Sequence, residues 1–127
     1  MLERDGSHRL SECKSEPLGA WRGGPISAKN WAIPIRVTVW SENVHEQNNE
    51  LTRSLYPRGM HGCIAEVMNE DSEIVALTAT LQEPEHGLTE EVLAKTDVLT
   101  WWGHRAHREV ADEVADRVQR RVLQGMG

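Results

Sequence analysis

Ile33-Pro-Ile-Arg-Val-Thr-Val-Trp-Ser-Glu-Asn-Val-His-Glu46 is the stretch from which the fold can be read. Its first half, to Trp40, is β-branched and apolar, as a strand covered on at least one face should be. Its second half turns polar at once and opens the run 41–56, SENVHEQNNELTRSLY, which reads as a strand-to-helix loop. Pro57 can then open a helix at its first turn. Met60, Ile64, Val67 and Met68 recur at three- and four-residue steps, so the helix is expected to run to about Glu70.

The alternation repeats downstream. Glu73-Ile-Val-Ala-Leu-Thr-Ala-Thr-Leu81 reads as a second strand, and Gln82 to Gly87 as a loop. Thr89 has the character of an N-cap for a short helix, Glu90 to Lys95, with acids in its first turn where the dipole favours them. Asp97-Val-Leu-Thr-Trp-Trp-Gly103 is a third strand. From about His107 a last helix carries Val110, Val114, Val118 and Val122 every fourth residue, flanked by Ala111, Ala115 and Leu123. Strand and helix in this order imply a parallel sheet. Gly125-Met-Gly127 reads as a helix C-cap with no strand after it. The expected architecture is therefore α/β, truncated after the third strand and its helix. Its sheet edge would be open to solvent, and copies are expected to associate through it as a homo-oligomer.

Upstream, residues 1–32 mix charges, Ser, Gly and Pro without periodicity, and the extension through residue 34 is predicted to be disordered. The alternative is a docking arm whose Trp21 and Trp31 find a groove. The domain proper then spans residues 35–127. The 127 residues carry a formal net charge of −6 and a sequence pI near 5.5. Arg105, Arg108, Arg117, Arg120 and Arg121 alternate with acids rather than forming a stripe, which argues against nucleic acid and against an anionic membrane. Cys13 and Cys63 have no metal-ribbon spacing and build no disulfide framework. No window approaches the roughly 20 apolar residues of a membrane span, and the N-terminus lacks a secretory apolar core. A cytoplasmic location is the expectation.

Val39-Trp-Ser-Glu-Asn-Val-His-Glu46, Tyr56-Pro-Arg-Gly-Met-His-Gly-Cys-Ile-Ala65, Thr80-Leu-Gln-Glu-Pro-Glu-His-Gly-Leu-Thr89 and Asp97-Val-Leu-Thr-Trp-Trp-Gly-His-Arg-Ala-His107 closely resemble the trehalose-utilisation (ThuA-like) family. The resemblance covers roughly Ile35 to Gly127. It implies a flavodoxin-like three-layer αβα fold, related to class I glutamine amidotransferases, of which this chain holds the N-terminal half. It also implies a role in the use of trehalose or related sugars, with a small-molecule sugar or sugar derivative as the partner.

In such sheets ligands bind beyond the carboxyl ends of the strands. Glu42, Asn43, His45 and Glu46 follow the first strand, Glu83, Glu85 and His86 the second, and His104 and His107 the third. Imidazoles and carboxylates converging there could hold a divalent metal such as zinc or shuttle protons near neutral pH. His104 and His107 share a face if the helix begins at Gly103, and His45 would join them from the adjacent strand, giving His45, His104 and His107 as the metal set. Glu42 and Glu46 are the candidate catalytic or supporting carboxylates, and His61, between Gly59 and Gly62, is a candidate acid–base or anion-facing group. Trp40, Trp101 and Trp102 are expected in the core, with sugar stacking as the alternative for Trp101 and Trp102 and pocket lining as the alternative for Trp40. Cys63 is expected as a small core residue. No GxGxxG or GxxxxGK[ST] occurs, so dinucleotide and phosphate-loop fingerprints are missing. The alternative to an enzyme is a non-catalytic binding or regulatory module, or an inactive fragment.

Overall fold

The computed structural model describes residues 33–127. The readings made for residues 1–32 lie outside the described residues. β1 (Ile35–Ser41) is flanked in parallel by β2 (Ile74–Thr80) and β3 (Val98–Trp102), so the strand order is β2-β1-β3. Val37 stands opposite Ala76 and Val98, and Trp40 opposite Ala79 and Trp101. Side chains alternate across the sheet, and two cores follow. Val37, Val39 and Ala76 pack with Ala65 of α3 (Gly59–Met68) on one face. Trp40, Ala79 and Leu81 pack with Leu93 of α4 (Glu90–Ala94) and Val114 of α5 (Asp112–Leu123) on the other, while α1 (His45–Asn48) and α2 (Glu50–Leu55) lie between β1 and α3 in sequence.

Handedness explains the placement. The connection from β1 to β2 moves one way along the sheet and that from β2 to β3 moves back past β1. Right-handed crossovers put their helices on opposite faces. This is the three-layer, flavodoxin-like arrangement that the sequence led us to expect.

Four expectations are corrected. Residues 41–56 are not a loop throughout: they form α1 (His45–Asn48) and α2 (Glu50–Leu55). Asn49 stops the first and caps the second, its side chain accepting from the Thr52 amide at 2.9 Å. On α3 the buried face is Gly59, His61 and Ala65, while Ile64 and Val67 are exposed. The rotation is set by Asn69, whose amide accepts from Ala76 N (2.8 Å) and donates to Ala76 O (2.9 Å) on β2. The last helix does not start near His107. A 3-10 turn over His107–Glu109 precedes α5, whose Val114 is buried while Val122 and Leu123 lie outside. Finally, the chain returns to the sheet after α5. Gly127 N donates to Asp97 O (3.0 Å) and Gly127 O accepts from Leu99 N (2.8 Å), the alternation of a parallel ladder on the outer edge of β3.

Candidate functional site

The strand order turns back between β1 and β3, and a ligand crevice belongs at that switch point. Asn43 makes the local turn possible. Its φ of 48° lies in the left-handed region, which Asn tolerates better than other non-glycine residues. With its amide donating to Ser41 Oγ (3.1 Å), the chain sends Glu42 toward β3 and then enters α1 at His45.

Glu42 is 2% exposed and belongs to the architecture. Its carboxylate accepts from the backbone amides of Ala106 (2.8 Å) and Arg105. Burial pushes this carboxyl up, but the Ala106, His104 and Arg105 amides and the His107 charge outweigh it and hold the group below the usual carboxylate range. The catalytic candidate is thus a clamp on the loop that carries His104. Glu46 is buried as well, and its Oε1 accepts from the Met60 amide at the start of α3 (3.2 Å).

His61 faces the sheet from the first turn of α3 and is 8% exposed. Gly59 makes room for it: with φ +73°, a Cβ at Gly59 would stand 2.7 Å from His61 Nδ1. Burial lowers the His61 pKa, and the charges of Glu46 and Glu83 recover only part of that, which favours the neutral ring. Its Nδ1 is buried without a hydrogen-bond partner.

The three candidate metal ligands are only partly gathered. The His45 and His104 rings meet edge to face with centroids 5.7 Å apart. His107 is held elsewhere, its Nε2 accepting from Trp101 Nε1 (3.3 Å) and its ring lying where a Cβ on Gly103 would be. The helix that was to align His104 with His107 begins only at Asp112. Zinc takes three or four protein ligands. Among the described residues no group of three or more His, Cys, Asp and Glu side chains is arranged for a metal. Of the three candidates, His45 and His104 are brought together and His107 stands apart on Trp101.

The acids and imidazole after β2 are committed to structure. Glu83 accepts from the amide and hydroxyl of Thr80, and Glu85 pairs with Arg117 (2.7 Å). His86 bridges two elements, its Nδ1 2.8 Å from Leu81 O and its Nε2 accepting from Ala111 N (3.0 Å). Cys63 is half-buried.

Trp40 is fully buried and stacks on Trp101 at 4.0 Å and 22°. Trp102 points to the other face, 50% exposed, with His104 nearly parallel to it at 6.3 Å. It lines a cleft of about 300 Å³ together with Ser41, Met60, His61, Ile64 and Thr100. A comparable hollow beside Val75, Leu77 and Lys95 lies at the opposite end of the strands, away from these groups. Sequence reasoning missed Ser41, Met60 and Ile64 as cleft lining. The signal for the last two was ambiguous, because an apolar residue on a helix reads as core until the rotation of that helix is known.

Among the described residues no helix is long and apolar enough to cross a membrane. No curated protein matches the chain. The family model for trehalose utilisation, ThuA, matches residues 36–127, and the chain belongs to that family.

Proposed function

We propose that this member of the ThuA trehalose-utilisation family binds a sugar or sugar-derived ligand in the cleft between α3 and the carboxyl ends of β1 and β3. The observation that carries the reading is Trp102: a half-exposed indole at the mouth of a cleft of about 300 Å³, at the switch point of the sheet. Indole faces accept the C–H face of a pyranose, and a buried polar group then orients the ring's hydroxyls. His61 is that group here; His104 lies beside Trp102, with His45 next to it in turn. Where turnover follows binding, the neutral imidazole of His61 is the acid–base group and Glu46 the carboxylate beside it. Glu42 acts by holding the loop of His104.

The commitment of Glu42 to backbone amides favours a second reading, a module that binds without turnover. Incubation with the bound sugar, followed by product analysis, separates the two. Zinc stays outside the chemistry of this reading, since His107 is turned to Trp101. Plasma mass spectrometry on the purified chain tests it: near-stoichiometric zinc that is lost in His104→Ala would bring the metal in.

The binding test is a fluorescence and calorimetric titration with trehalose, maltose and glucose. Saturable binding that weakens about tenfold or more in Trp102→Ala, with thermal stability kept, is the expected result. No binding by any of the three, in the chain as it stands, overturns the reading.

A further inference from the structure

The loop after β2 is held by bonds that only one form of an imidazole can make. Glu85, His86 and Gly87 all have left-handed backbones, with φ of 50°, 55° and 67°. For the first two residues that conformation is strained and needs outside support. Trp40 Nε1 of β1 donates to His86 O at 3.0 Å, and Arg117 of α5 pairs with Glu85 and donates to Leu88 O. The His86 ring adds two more ties. Leu81 O only accepts, so Nδ1, 2.8 Å away, carries a proton. The Ala111 amide only donates, so Nε2, 3.0 Å away, presents its lone pair. Together the two bonds fix the ring as the neutral tautomer protonated at Nδ1.

The second bond falls where α5 needs it. Ala111 is the N-cap residue of that twelve-residue helix and has no side-chain oxygen to offer. In a capping box, a Glu at the third helical position reaches back to the N-cap amide. Here that position is Val114, which is buried in the core. His86 takes the amide in its place.

We infer that His86 is an acid-released latch between the loop after β2 and the start of α5. A proton taken up from solvent at Nε2 turns the acceptor into a donor facing a donor, and the bond to Ala111 is lost. Nδ1 keeps its proton and its bond to Leu81 O. The ring therefore stays with the sheet and lets go of the helix. It is only half-buried, so the proton reaches it without unfolding. The inference holds whether or not a sugar binds.

The charges around the ring are mixed. Glu83 and Glu85 share its loop, and Asp112 and Glu113 open α5. The 3-10 turn before α5 carries His107, Arg108 and Glu109, while Arg117 reaches from Glu85 to Glu90 of α4. β1 contributes the neutral Trp40. The acids attract an imidazolium and the positive end of α5 repels it, but neither changes which bond the proton breaks. Glu42 still holds the Arg105 and Ala106 amides after release, so the change is expected at the start of α5 rather than at His104.

The test is an NMR titration of the full isotope-labelled chain with acid. At neutral pH the imidazole spectrum should show His86 protonated at Nδ1 alone, with scalar coupling across the hydrogen bond between Ala111 N and Nε2. As the ring takes its second proton, that coupling should vanish and the Ala111 amide should shift with the same midpoint, while circular dichroism stays native. His86→Asn suits the left-handed backbone and keeps a donor for Leu81 O, but falls short of Ala111. In that variant the Ala111 amide should lack the step at every pH. A ring protonated at Nε2 at neutral pH overturns the inference, as does coupling that survives protonation. So does a ring that takes no second proton before the chain unfolds, or an Ala111 step of equal size in His86→Asn.

Discussion

At Glu42 one buried carboxylate ties the end of β1 to the loop after β3, and the sign of its pH effect follows from that bond. Its folded pKa is depressed, so its contribution is present above the unfolded value of about 4.3 and is lost as pH falls through the folded value. Asp97 behaves in the same sense. The Arg36 side chain and amide bond it and lower it to about 2, so its share persists to more acid conditions. Urea unfolding between pH 2 and pH 7 should show Glu42→Gln less stable at neutrality by about 1–3 kcal/mol, with part of the acid slope gone. A slope identical to wild type would remove Glu42 from its clamping role. His61 has the opposite chemistry with a related outcome. Burial lowers its folded pKa, the unfolded chain binds the proton first, and stability should fall as pH drops below about 6.5. Gly103→Ala tests the neighbouring contact. A Cβ there strikes the His107 ring, and a cost of about 1–3 kcal/mol with a shifted tryptophan emission is expected as Trp101 loses its partner.

Among the elements, α3 shows how a few polar bonds overrule an apolar stripe. Met60, Ile64 and Val67 would have faced the core if hydrophobicity alone had turned the helix. Asn69 instead mimics a strand partner for Ala76, and the small Ala65 lets the helix lie close to Val37 and Val39. Asn69→Ala leaves an amide and a carbonyl of β2 unpaired and should cost about 1–3 kcal/mol. Ile64→Ala, on an exposed position, should cost under about 1 kcal/mol. Chemical denaturation of the two variants in parallel reads the difference, and the reverse order would mean that the helix is rotated. The loop after β2 follows the same logic. Glu85 and His86 hold left-handed conformations that non-glycine residues rarely adopt. They keep them because Trp40 Nε1, Ala111 N and Arg117 all bond to this segment.

For the molecule as a whole, the face carrying Trp40 is the more completely sealed. Leu88 and Leu93 are fully buried there, and Ala106, Val114 and Met126 close the layer. Leu93→Ala should cost about 2–5 kcal/mol by thermal or urea unfolding, among the largest effects of any single truncation. The β2 side is less covered. Leu77 is 66% exposed and Val75 43%. Apolar surface beside a sheet edge promotes association. Light scattering over a concentration series should show self-association that Leu77→Lys weakens, and a strictly monomeric chain would contradict this.

By itself the sequence determined the strands and their parallel direction, and it put a run of imidazoles and carboxylates beyond their carboxyl ends. These depend on local runs of β-branched residues, on the Thr89 cap confirmed at 3.2 Å to Val92 N, and on handedness rules that hold for any chain. It also placed Glu42, His45 and Glu46 after the first strand and His104 and His107 after the third, where the structure has them. Tertiary structure alone decided what each of them does. Glu42 became a clamp, His86 a strut and His107 a partner of Trp101, because amide and indole donors far away in sequence claimed them first. Helix rotation likewise depended on Asn69 meeting Ala76. Hydrogen bonds between distant residues have no periodicity, and no pattern along the chain announces them.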